Sequence, residues 1–568
     1  MPTINLKKRD LEHLLGRAIT LPDLADQLPL VKGEIKGYDE SSGEIKLELN
    51  DTNRPDLWCV EGIARQIKTH LVKKTVSYPF YNGSRNRKAA GVLQVAPELK
   101  NIRPYIGACI ARGLSLDDET LAQLIQTQEK LSESFGRKRR LVSIGLYRLA
   151  KIVFPISYKT VRPEGVRFVP LGFESEMTPS EILKKHPKGI VYADLLSQAA
   201  EFPLLVDQKS KILSFPPIIN SREIGEVQVG DRDLFVEVTG TDLRMVILTV
   251  NILAANLADR GAEVAPVEVR YPYSTDFGRD ILMPLVLAKP MALTLGHFIS
   301  ALGENVKMAQ VISALKRYGY LVKGRGDRLS VSVPAYRDDL LHPVDVVEDF
   351  TISRGYDSFE PEMPSEFTVG GLSSLEQFSD RIRETMIGMG FQEVISNILT
   401  NREELIDRMN LSAQSGSDDL VSVENVMSQT YSALRNGIIP SLLRVETASS
   451  KSFYPHRLFE VGEVVIVDEK ADEGTRTLQR LAGLIAHPSS NFSELHSILD
   501  LLMYYLGKSY QLESVTHPSF LEGRVGRIVH EGRDLGLIGE IHPQVLENWE
   551  IHMPCSVFEI ALDALLSG

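Results

Sequence analysis

The stretch Arg337-Asp-Asp-Leu-Leu-His-Pro-Val-Asp-Val-Val-Glu-Asp-Phe350 carries five carboxylate side chains in one short run. Pro343 predicts the start of a helix, because proline is favoured at the first helical position. A helix that begins there places the last three acids at i, i+3 and i+4, on one face. These three acids are Asp345, Glu348 and Asp349. Asp339 precedes them, in the segment that leads into the helix.

The five acids allow two interpretations. Like charges at this density repel one another unless a cation or a basic side chain compensates them. Mg²⁺ prefers oxygen ligands and often needs only a few carboxylates, because it keeps several of its waters. The pattern also fits a solvated acidic helix start, since the helix dipole favours acids in the first turn. On pattern alone the acidic helix start is the commoner event, and a Mg²⁺ site is the alternative.

Length and composition are those of a globular protein with several domains. The 568 residues predict three or four domains at roughly 150 residues each. Hydrophobic residues make up 43% of the chain and charged residues 24%, which is ordinary for a globular protein. The net charge of −12 argues against a protein that coats nucleic acid, although local basic patches are compatible with it.

The cysteines and the N-terminal sequence indicate the cellular compartment in which the protein works. Cys59, Cys109 and Cys555 are scattered and match no disulfide framework or zinc spacing, so we expect a reducing environment. The N-terminal sequence lacks the apolar region of a signal peptide. No apolar run approaches the roughly 20 residues that a membrane helix needs. We therefore expect a cytoplasmic protein without a membrane segment.

Capping residues predict two helices. One is Leu57–Ile67, with Asp56 as its N-cap. The other is Leu243–Arg260, with Asp242 as its N-cap and Gly261 after its last turn. Both predictions depend on short polar residues that can accept a hydrogen bond from the first free amides of the helix.

Further elements follow from alternating or apolar runs. Ser374-Leu-Glu-Gln377 predicts a capping box at the start of a long helix. Strands are predicted where apolar residues alternate or cluster between turn residues. The predicted strands are Arg140–Leu146, Gly189–Tyr192, Arg328–Val333, Phe391–Ile398, Arg457–Ile466 and Gly536–Pro543.

Motifs that bind nucleotide phosphates are missing. Gly507-Lys-Ser509 suggests a phosphate loop, but position 502 is leucine, so the required glycine spacing fails. No Gly-x-Gly-x-x-Gly follows a predicted strand, and the zinc-protease and serine-hydrolase motifs are absent as well. The sequence therefore predicts no ATP chemistry of its own.

Three motifs along the chain carry a family resemblance. They are Asn53-Arg-Pro-Asp-Leu57, Glu61-Gly-Ile-Ala-Arg65 and the acidic stretch with its continuation, Ser353-Arg-Gly-Tyr-Asp357. In combination they resemble the β subunit of phenylalanine–tRNA ligase, and the resemblance extends from Asn53 to Glu559. The chain lacks room for the inserted OB-fold and the C-terminal RNA-binding domain of bacterial β subunits. It therefore resembles the shorter archaeal and eukaryotic type.

The resemblance implies a ligase that is active only as an α₂β₂ complex with an α subunit. In that family the α subunit binds ATP and phenylalanine, and the complex charges tRNA(Phe). The family's Mg²⁺ ligands at the contact with α correspond here to Asp339, Asp345, Glu348 and Asp349. Asp349 stands where glutamate is more usual. Asp338 stands where the family often has an apolar residue, which blurs the choice of ligands.

The resemblance also implies an α+β multidomain fold in four parts. Residues 1–88 form an N-terminal α/β domain, and residues 89–272 form an α/β editing-type domain of the B3/B4 kind. Residues 273–358 form a winged-helix-like domain of the B5 kind that contains the acidic stretch. Residues 366–568 form an antiparallel sheet with helices that is similar to class II synthetases but lacks the ATP-binding motifs, including their Phe-Arg-x-Glu strand.

A second, hydrolytic activity has a physical motive. An apolar phenylalanine pocket rejects tyrosine by only about a hundredfold, so a second hydrolytic site is useful. The resemblance places the editing pocket at Leu205, Ser214, Glu237 and Thr239. Glu237 could accept a hydrogen bond from the tyrosyl hydroxyl, and Ser214 and Thr239 could hold the ester or a water. Attack by water is favoured over a covalent intermediate, because no base is paired with Ser214.

Alternatives remain open for these segments and for the protein. Glu237–Thr241 also fits a strand that ends in a turn and exposes its polar residues. The basic run Arg137–Arg140 fits either an RNA contact or charges that complement the end of a helix. Two other functions also remain: a stand-alone hydrolase that edits mischarged tRNA, and a non-enzymatic RNA-binding scaffold.

Overall fold

The computed structural model describes residues 2–50, 53–73, 75–81, 88–411 and 420–566. The chain divides into two units, Met1–Glu362 and Met363–Gly568. Each unit combines helices with more than one sheet, so the predicted α+β multidomain fold is confirmed. Within the described residues, no helix is long and apolar enough to cross a membrane.

The first unit begins with a three-stranded antiparallel sheet in the order β1-β3-β2, covered by helices. Its elements are β1 (Thr3–Lys7), α1 (Lys8–Leu15), α2 (Leu21–Gln27), β2 (Gly33–Asp39), β3 (Glu44–Leu49) and α3 (Val60–Val72). The predicted cap of the third helix is wrong. The thiol of Cys59 accepts the capping bond from the Gly62 amide at 3.4 Å, while Asp56 binds Arg54 instead.

A large mixed sheet follows, in the order β10-β9-β8-β7-β4-β12-β5-β11-β6, with β13 paired to β12. Its strands are β4 (Gly91–Val95), β5 (Tyr105–Arg112), β6 (Val142–Arg148), β7 (Ile156–Val161), β8 (Phe202–Val206), β9 (Ile212–Phe215), β10 (Ile219–Asn220), β11 (Leu234–Gly240), β12 (Glu263–Thr275) and β13 (Gly278–Met283). Its helices are α4 (Asp118–Lys130), α5 (Pro179–Lys185), α6 (Pro187–Tyr192), α7 (Arg222–Gly225) and α8 (Leu243–Asp259).

Of two elements predicted for the segment that forms the large sheet, one is confirmed and one is wrong. The helix α8 is confirmed, with the Asp242 carboxylate 2.9 Å from the Met245 amide and Gly261 at φ 90°. The predicted strand Gly189–Tyr192 is wrong, because these residues belong to the helix α6. Pro187 at the first helical position sets that conformation, and a short apolar run cannot distinguish a strand from a helix.

The first unit ends in a small sheet in the order β14-β16-β15, packed against three helices. The elements are β14 (Met291–Thr294), α9 (Leu295–Leu302), α10 (Met308–Arg317), β15 (Leu321–Arg325), β16 (Arg328–Ser332) and α11 (Pro343–Arg354). Pro343 is the first residue of α11, as predicted. Phe350 on this helix packs edge-on against Phe298, with ring centroids 5.5 Å apart, which fixes the inner face of α11.

The second unit is built on a seven-stranded sheet in the order β17-β20-β21-β25-β24-β23-β22, which is antiparallel except for the β17–β20 pair. A separate pair joins β18 to β19. The strands are β17 (Gln392–Glu393), β18 (Leu399–Thr400), β19 (Ala433–Leu434), β20 (His456–Val467), β21 (Thr475–Ala486), β22 (Gln511–Ser514), β23 (Phe520–His530), β24 (Arg533–Ile541) and β25 (Cys555–Ala561). The helices are α12 (Ser374–Gly388), α13 (Ile439–Ala448), α14 (Phe492–Leu506), α15 (Pro543–Asn548) and α16 (Leu562–Leu566).

Two predictions for this unit need correction. The strand predicted over Phe391–Ile398 is reduced to the two residues of β17. The N-cap of α12 lies one residue before the predicted capping box, because the Ser373 hydroxyl accepts the bond from the Glu376 amide at 3.1 Å. The strands predicted near Arg457 and Gly536 are confirmed as β20 and β24.

Candidate functional site

The acids of the stretch Arg337–Phe350 have separate partners. At the start of α11, one carboxylate oxygen of Asp345 accepts hydrogen bonds from the amides of Leu341 and His342, both at 2.7 Å. These amides lie at the helix start, where backbone donors lack intrahelical acceptors. Asp345 therefore caps the helix, and this part of the acidic pattern is explained by local structure.

Asp339 and Asp349 are both buried against Arg337. Arg337 binds both oxygens of Asp339, with its Nε 2.9 Å from one of them. The same guanidinium donates to Asp349 at 2.7 Å, and the hydroxyl of Tyr320 donates to that oxygen at 2.5 Å. The Arg337 side chain is only 2% exposed, so one buried cation holds the two acids together.

A second buried arginine extends this network to the N-terminal part of the unit. Arg54 binds Asp56 through two bonds of 2.8 Å and lies 4.0 Å from Asp339. Burial would raise the pKa of Asp339, but Arg337 and Arg54 outweigh it and lower that pKa to about 2. For Asp349 burial prevails over the two arginines, and its pKa is raised. The motif Asn53–Leu57 thus packs against the acidic stretch through charge.

Glu348 points elsewhere and binds Lys32 at 2.8 Å, with its side chain 48% exposed. Among the described residues, no group of three or more acidic, histidine or cysteine side chains could hold a metal ion. The four predicted ligands are carboxylates, which supply the oxygen donors that Mg²⁺ prefers. At least one oxygen of each, however, already accepts a hydrogen bond from an arginine, a lysine or a backbone amide of the protein. They do not fit a four-carboxylate Mg²⁺ site in this arrangement.

The predicted editing residues lie in the large sheet. The strand β11, which carries Glu237 and Thr239, is paired on both sides, to β5 and to β6. Glu237 is 2% exposed and Thr239 is fully buried. The alternative that these polar residues face solvent is therefore wrong, because both edges and both faces of the strand are covered.

Tyr147 joins two of the predicted residues. Its hydroxyl lies 2.8 Å from a carboxylate oxygen of Glu237 and 2.8 Å from the hydroxyl of Ser214. A phenol has one proton, so it can donate to only one of them at a time. The sequence did not predict Tyr147 as a residue of this site, although the strand Arg140–Leu146 was predicted immediately before it. No local signal marks which strand residue faces a partner 90 positions away.

The other two predicted residues have supporting positions. The hydroxyl of Thr239 accepts from Arg103 at 3.0 Å and lies 3.2 Å from the hydroxyl of Ser143. Leu205 is fully buried and lies opposite Ser214 in the β8–β9 pair. The structure thus brings Ser214 and Glu237 together through Tyr147, while Thr239 is held by Arg103 and Leu205 belongs to the core.

Glu237 is the most perturbed acid of this group. Burial raises its pKa to about 7, against the opposing effects of the Tyr147 hydroxyl and the Arg103 cation. Its second carboxylate oxygen is buried and has no hydrogen-bond partner in the described structure. A buried acceptor without a partner costs about 1–3 kcal/mol, so this oxygen is available for a donor from a ligand.

A small cavity of about 50 Å³ opens beside Glu237. Its polar lining comes from the strands β6, β9 and β10, the helices α4 and α6, and the segment between α4 and β6: Gln128, Arg139, Ser143, Lys188, Ser214 and Asn220. The volume is enough for several waters, and the walls carry hydroxyl, amide and cationic groups. The site therefore combines a free carboxylate oxygen, a serine and two cations around space for a small polar group.

The second unit was expected to lack ATP-binding motifs, and the nearest candidate stretch is engaged internally. In β20, Glu460 is 2% exposed and lies 2.8 Å from Arg435. Arg457 pairs with Glu494 of α14 at 3.1 Å. Both side chains already have partners of opposite charge, so Arg457 is not an unpaired cation for a triphosphate.

Comparison with known proteins agrees with this architecture. Residues 291–356 match the family model described as tRNA synthetase B5 domain. Residues 360–562 match the model described as phenylalanyl tRNA synthetase beta chain CLM domain. The phenylalanine–tRNA ligase beta subunit of Borrelia hermsii is 40% identical over 568 residues, with 100% of each chain covered. The chain belongs to the phenylalanine–tRNA ligase beta subunit family.

Other members of the family give the same result. The beta subunit from Borreliella burgdorferi is 40% identical over 570 residues, again with full coverage of both chains. Among solved structures, the chain is similar to an N-terminal fragment of the phenylalanyl-tRNA synthetase beta subunit from Pyrococcus horikoshii. The identity is 38%, the TM-score is 0.59, and the match covers 62% of this chain and 100% of the fragment.

Proposed function

We propose that the chain is the β subunit of an α₂β₂ phenylalanine–tRNA ligase, which attaches phenylalanine to tRNA(Phe) at the expense of ATP. Membership of the family over the full length of its relatives supports this role. The α subunit would bind ATP, since this sequence lacks the nucleotide-binding motifs, and also phenylalanine, as the family resemblance implies. The three cysteines are buried and free, which suits the reducing cytoplasm where tRNA is charged.

The four-part division and the archaeal or eukaryotic type are part of this proposal. The proposed parts are the N-terminal domain 1–88, the editing domain 89–272, the B5-type domain 273–358 and the catalytic-like domain 366–568. Each part contains a sheet, although the large sheet continues past residue 272 to Met283 through β13, and the last part also holds the β18–β19 pair. The assignment to the shorter type is supported by the similarity to the Pyrococcus horikoshii fragment. The named full-length relatives come from Borrelia and Borreliella, so sequence similarity to them does not distinguish the types.

We also assign to the chain the hydrolysis of tyrosyl-tRNA(Phe). The observation that carries this assignment is the free, buried carboxylate oxygen of Glu237 at the wall of a cavity. As it stands the cavity holds only a few waters, so its lining would have to open to admit an aromatic ring. The phenol of a tyrosyl group would then donate to this oxygen, whereas a phenylalanyl group would leave it unpaired. Ser214 and Thr239, the latter through Ser143, would orient the ester or the attacking water. A binding site that leaves a buried acceptor unpaired rejects the wrong ligand strongly.

Deacylation of tyrosyl-tRNA(Phe) by the assembled ligase tests this assignment. We expect Glu237→Ala to lower the rate by at least tenfold, because a hydrogen bond to a charged group is worth about 1.5–3 kcal/mol. The matched control is Glu174→Ala, which removes a carboxylate that is 92% exposed in the same unit. Equal rates for Glu237→Ala and wild type would support the non-enzymatic scaffold instead. Activity that persists without any α subunit would support the stand-alone hydrolase.

We restrict the proposed Mg²⁺ ligands to the two acids of the stretch that are not buried against Arg337 and that keep a carboxylate oxygen free of a protein partner among the described residues. Mg²⁺ can be held by one or two carboxylates together with waters. Glu348 is half exposed, and Asp345 uses one oxygen to cap α11. These two are the candidates for an ion near the α subunit. Asp339 and Asp349 would have to leave Arg337 before they could contribute.

A further inference from the structure

The basic turn Arg137–Arg140 has an unusual backbone. It follows a single π-helical turn, Leu131–Phe135, at the end of α4. Arg137, Lys138 and Arg139 have φ angles of 48°, 53° and 63°, so three successive residues with side chains are left-handed. Each such residue costs roughly 1–2 kcal/mol, so the surrounding structure must hold the turn in place. The turn is therefore a fixed feature and not a loose tail of the helix.

The backbone of the turn is held by the preceding residues. The amides of Arg137, Lys138 and Arg139 donate to the carbonyls of Ser134, Glu133 and Ser132 at 3.3, 2.8 and 2.9 Å. These bonds leave the side chains free to point in different directions. The alternative that the run complements the helix dipole is weakened, because hydrogen bonds from the turn's own amides already satisfy the last carbonyls.

Arg139 connects the turn to the Glu237 cavity. Its guanidinium donates to the carbonyls of Pro217 and Ile218 at 3.0 and 2.8 Å, and it lies 4.3 Å from the ring centre of Tyr192. Arg139 and Lys188 both line the cavity beside Glu237. Burial and the neighbouring Arg139 lower the pKa of Lys188, which reflects two cations that share one site. The cavity thus has a carboxylate at its wall and two cations beside it.

The other three cations of the turn lie outside the cavity. Arg137, Lys138 and Arg140 are exposed and border a groove of about 740 Å³ that Tyr192 also lines. Glu133 and Asp194 border the same groove, so the three cations exceed the acids there. Arg139 lines the cavity, Tyr192 lines the groove, and these two side chains are in contact, so cations lie along both spaces.

We propose that the basic turn binds the phosphates of an RNA 3′ end whose aminoacyl group enters the Glu237 cavity. The inference rests on the proposed editing function, which supplies the aminoacyl ester. The ligand that fits is an aminoacylated single strand, with a phenol for Glu237 and phosphates for the cations outside. Arginine and lysine are the usual partners of RNA phosphates, and an aromatic ring such as Tyr192 offers a surface on which a base can stack.

The test uses the assembled ligase with Arg137→Gln and Lys138→Gln combined. The matched control is Lys184→Gln with Lys185→Gln, two exposed lysines at the end of α5 in the same unit. Deacylation of tyrosyl-tRNA(Phe) is measured over a range of salt concentrations. A tyrosyl ester of adenosine, which has no phosphate, is hydrolysed in parallel.

We expect the turn variant to raise KM for tyrosyl-tRNA(Phe) with little change in kcat. The slope of log affinity against log salt should fall by about 1.4, since each single-stranded phosphate contact contributes about 0.7. The adenosine ester should react equally with wild type and turn variant, and the control pair should match wild type on both substrates.

Three results would overturn the inference. The first is a turn variant whose slope of log affinity against log salt equals that of wild type. The second is a turn variant that hydrolyses neither tyrosyl-tRNA(Phe) nor the adenosine ester, which would mean that the turn only shapes the cavity. A third measurement is independent of hydrolysis: fluorescence anisotropy with a short single-stranded RNA that ends in CCA. If wild type fails to hydrolyse tyrosyl-tRNA(Phe) but the turn variant still binds this RNA more weakly, the editing function fails and the RNA contact stands. Equal binding of this RNA by both would remove the contact.

Discussion

At the level of single residues, Tyr147 links Glu237 to Ser214 through one hydroxyl. This hydroxyl helps to keep the Glu237 pKa from rising further under burial. It also occupies one carboxylate oxygen, so that the other oxygen is the one presented to a ligand. We infer that Tyr147 positions Glu237 and contributes no reacting atom.

Tyr147→Phe should therefore weaken editing without abolishing the fold. We expect deacylation of tyrosyl-tRNA(Phe) at pH 7 to fall about tenfold, the equivalent of one hydrogen bond to a charged group. The pH at which activity reaches half its maximum should move upward. Tyr271→Phe is the control, since its hydroxyl binds only the Ile106 backbone in the same sheet. An unchanged pH profile would contradict the positioning role.

The pKa of Glu237 makes editing dependent on pH. Because burial raises this pKa to about 7, the carboxyl is protonated below pH 7 and ionised above it. We expect kcat/KM for deacylation to rise between about pH 6 and pH 8, because Glu237 ionises in this range, and Glu237→Gln to flatten the profile. The folded state binds more protons than the unfolded state between the usual glutamate pKa and about 7. Ionisation of Glu237 therefore lowers the unfolding free energy as pH rises through this window, a loss that the glutamine variant lacks.

At the level of elements, α11 is fastened by a buried charge network. Arg337 compensates Asp339 and Asp349, and Arg54 lies close to the same acids. Removing one partner of a buried pair leaves an uncompensated charge, which costs more than the pair itself contributes. The stability of this part of the chain therefore depends on the arginines more than on any exposed acid of the stretch.

Arg337→Ala should destabilise the first unit by about 3–5 kcal/mol. Arg244→Ala is the matched control, because Arg244 pairs with Asp338 in the same stretch but its side chain is 55% exposed. The control should cost less than about 1 kcal/mol. Chemical denaturation followed by tryptophan fluorescence and circular dichroism measures both. Similar losses in the two variants would show that burial does not set the value of these pairs.

Removal of magnesium separates the two roles of the acidic stretch. Since Asp339 and Asp349 are compensated by Arg337, we expect EDTA to leave the thermal unfolding of the chain unchanged. Asp345→Asn combined with Glu348→Gln should abolish the heat of Mg²⁺ binding to the assembled ligase in titration calorimetry. A fall in thermal stability on chelation as large as that caused by Arg337→Ala would instead establish a structural metal site.

At the level of the whole molecule, the chain is proposed to be half of an enzyme. The sequence lacks the ATP-binding motifs of a class II synthetase, and Glu460 and Arg457 are paired internally. We expect the isolated chain to form no phenylalanyl adenylate, and the chain co-expressed with an α subunit to charge tRNA(Phe). Pyrophosphate exchange with each preparation measures this. Pyrophosphate exchange by the isolated chain would contradict the proposal that the α subunit forms the adenylate. A co-expressed mixture that does not charge tRNA(Phe) would contradict the proposal that this chain and the α subunit form the ligase.

The sequence by itself determined the features that depend on neighbouring residues. Asp242 and Gly261 set the ends of α8, and Pro343 sets the start of α11, because caps and proline act through the backbone within one turn. The family motifs led to the correct family for the same reason, since each is a short contiguous pattern. Short apolar runs such as Gly189–Tyr192 failed, because helix and strand are equally compatible with so few residues.

Only the tertiary structure decided the partners of the charged and polar groups. Lys32 meets Glu348 across 316 positions, and Tyr147 meets Glu237 across 90, which no local pattern encodes. The register of β11 between two strands turned Glu237 inward and left one of its oxygens free. Packing of Arg54 against Asp339 turned expected metal ligands into members of an ion-pair network. Such contacts depend on how strands and modules pack, and that packing is set by the whole core.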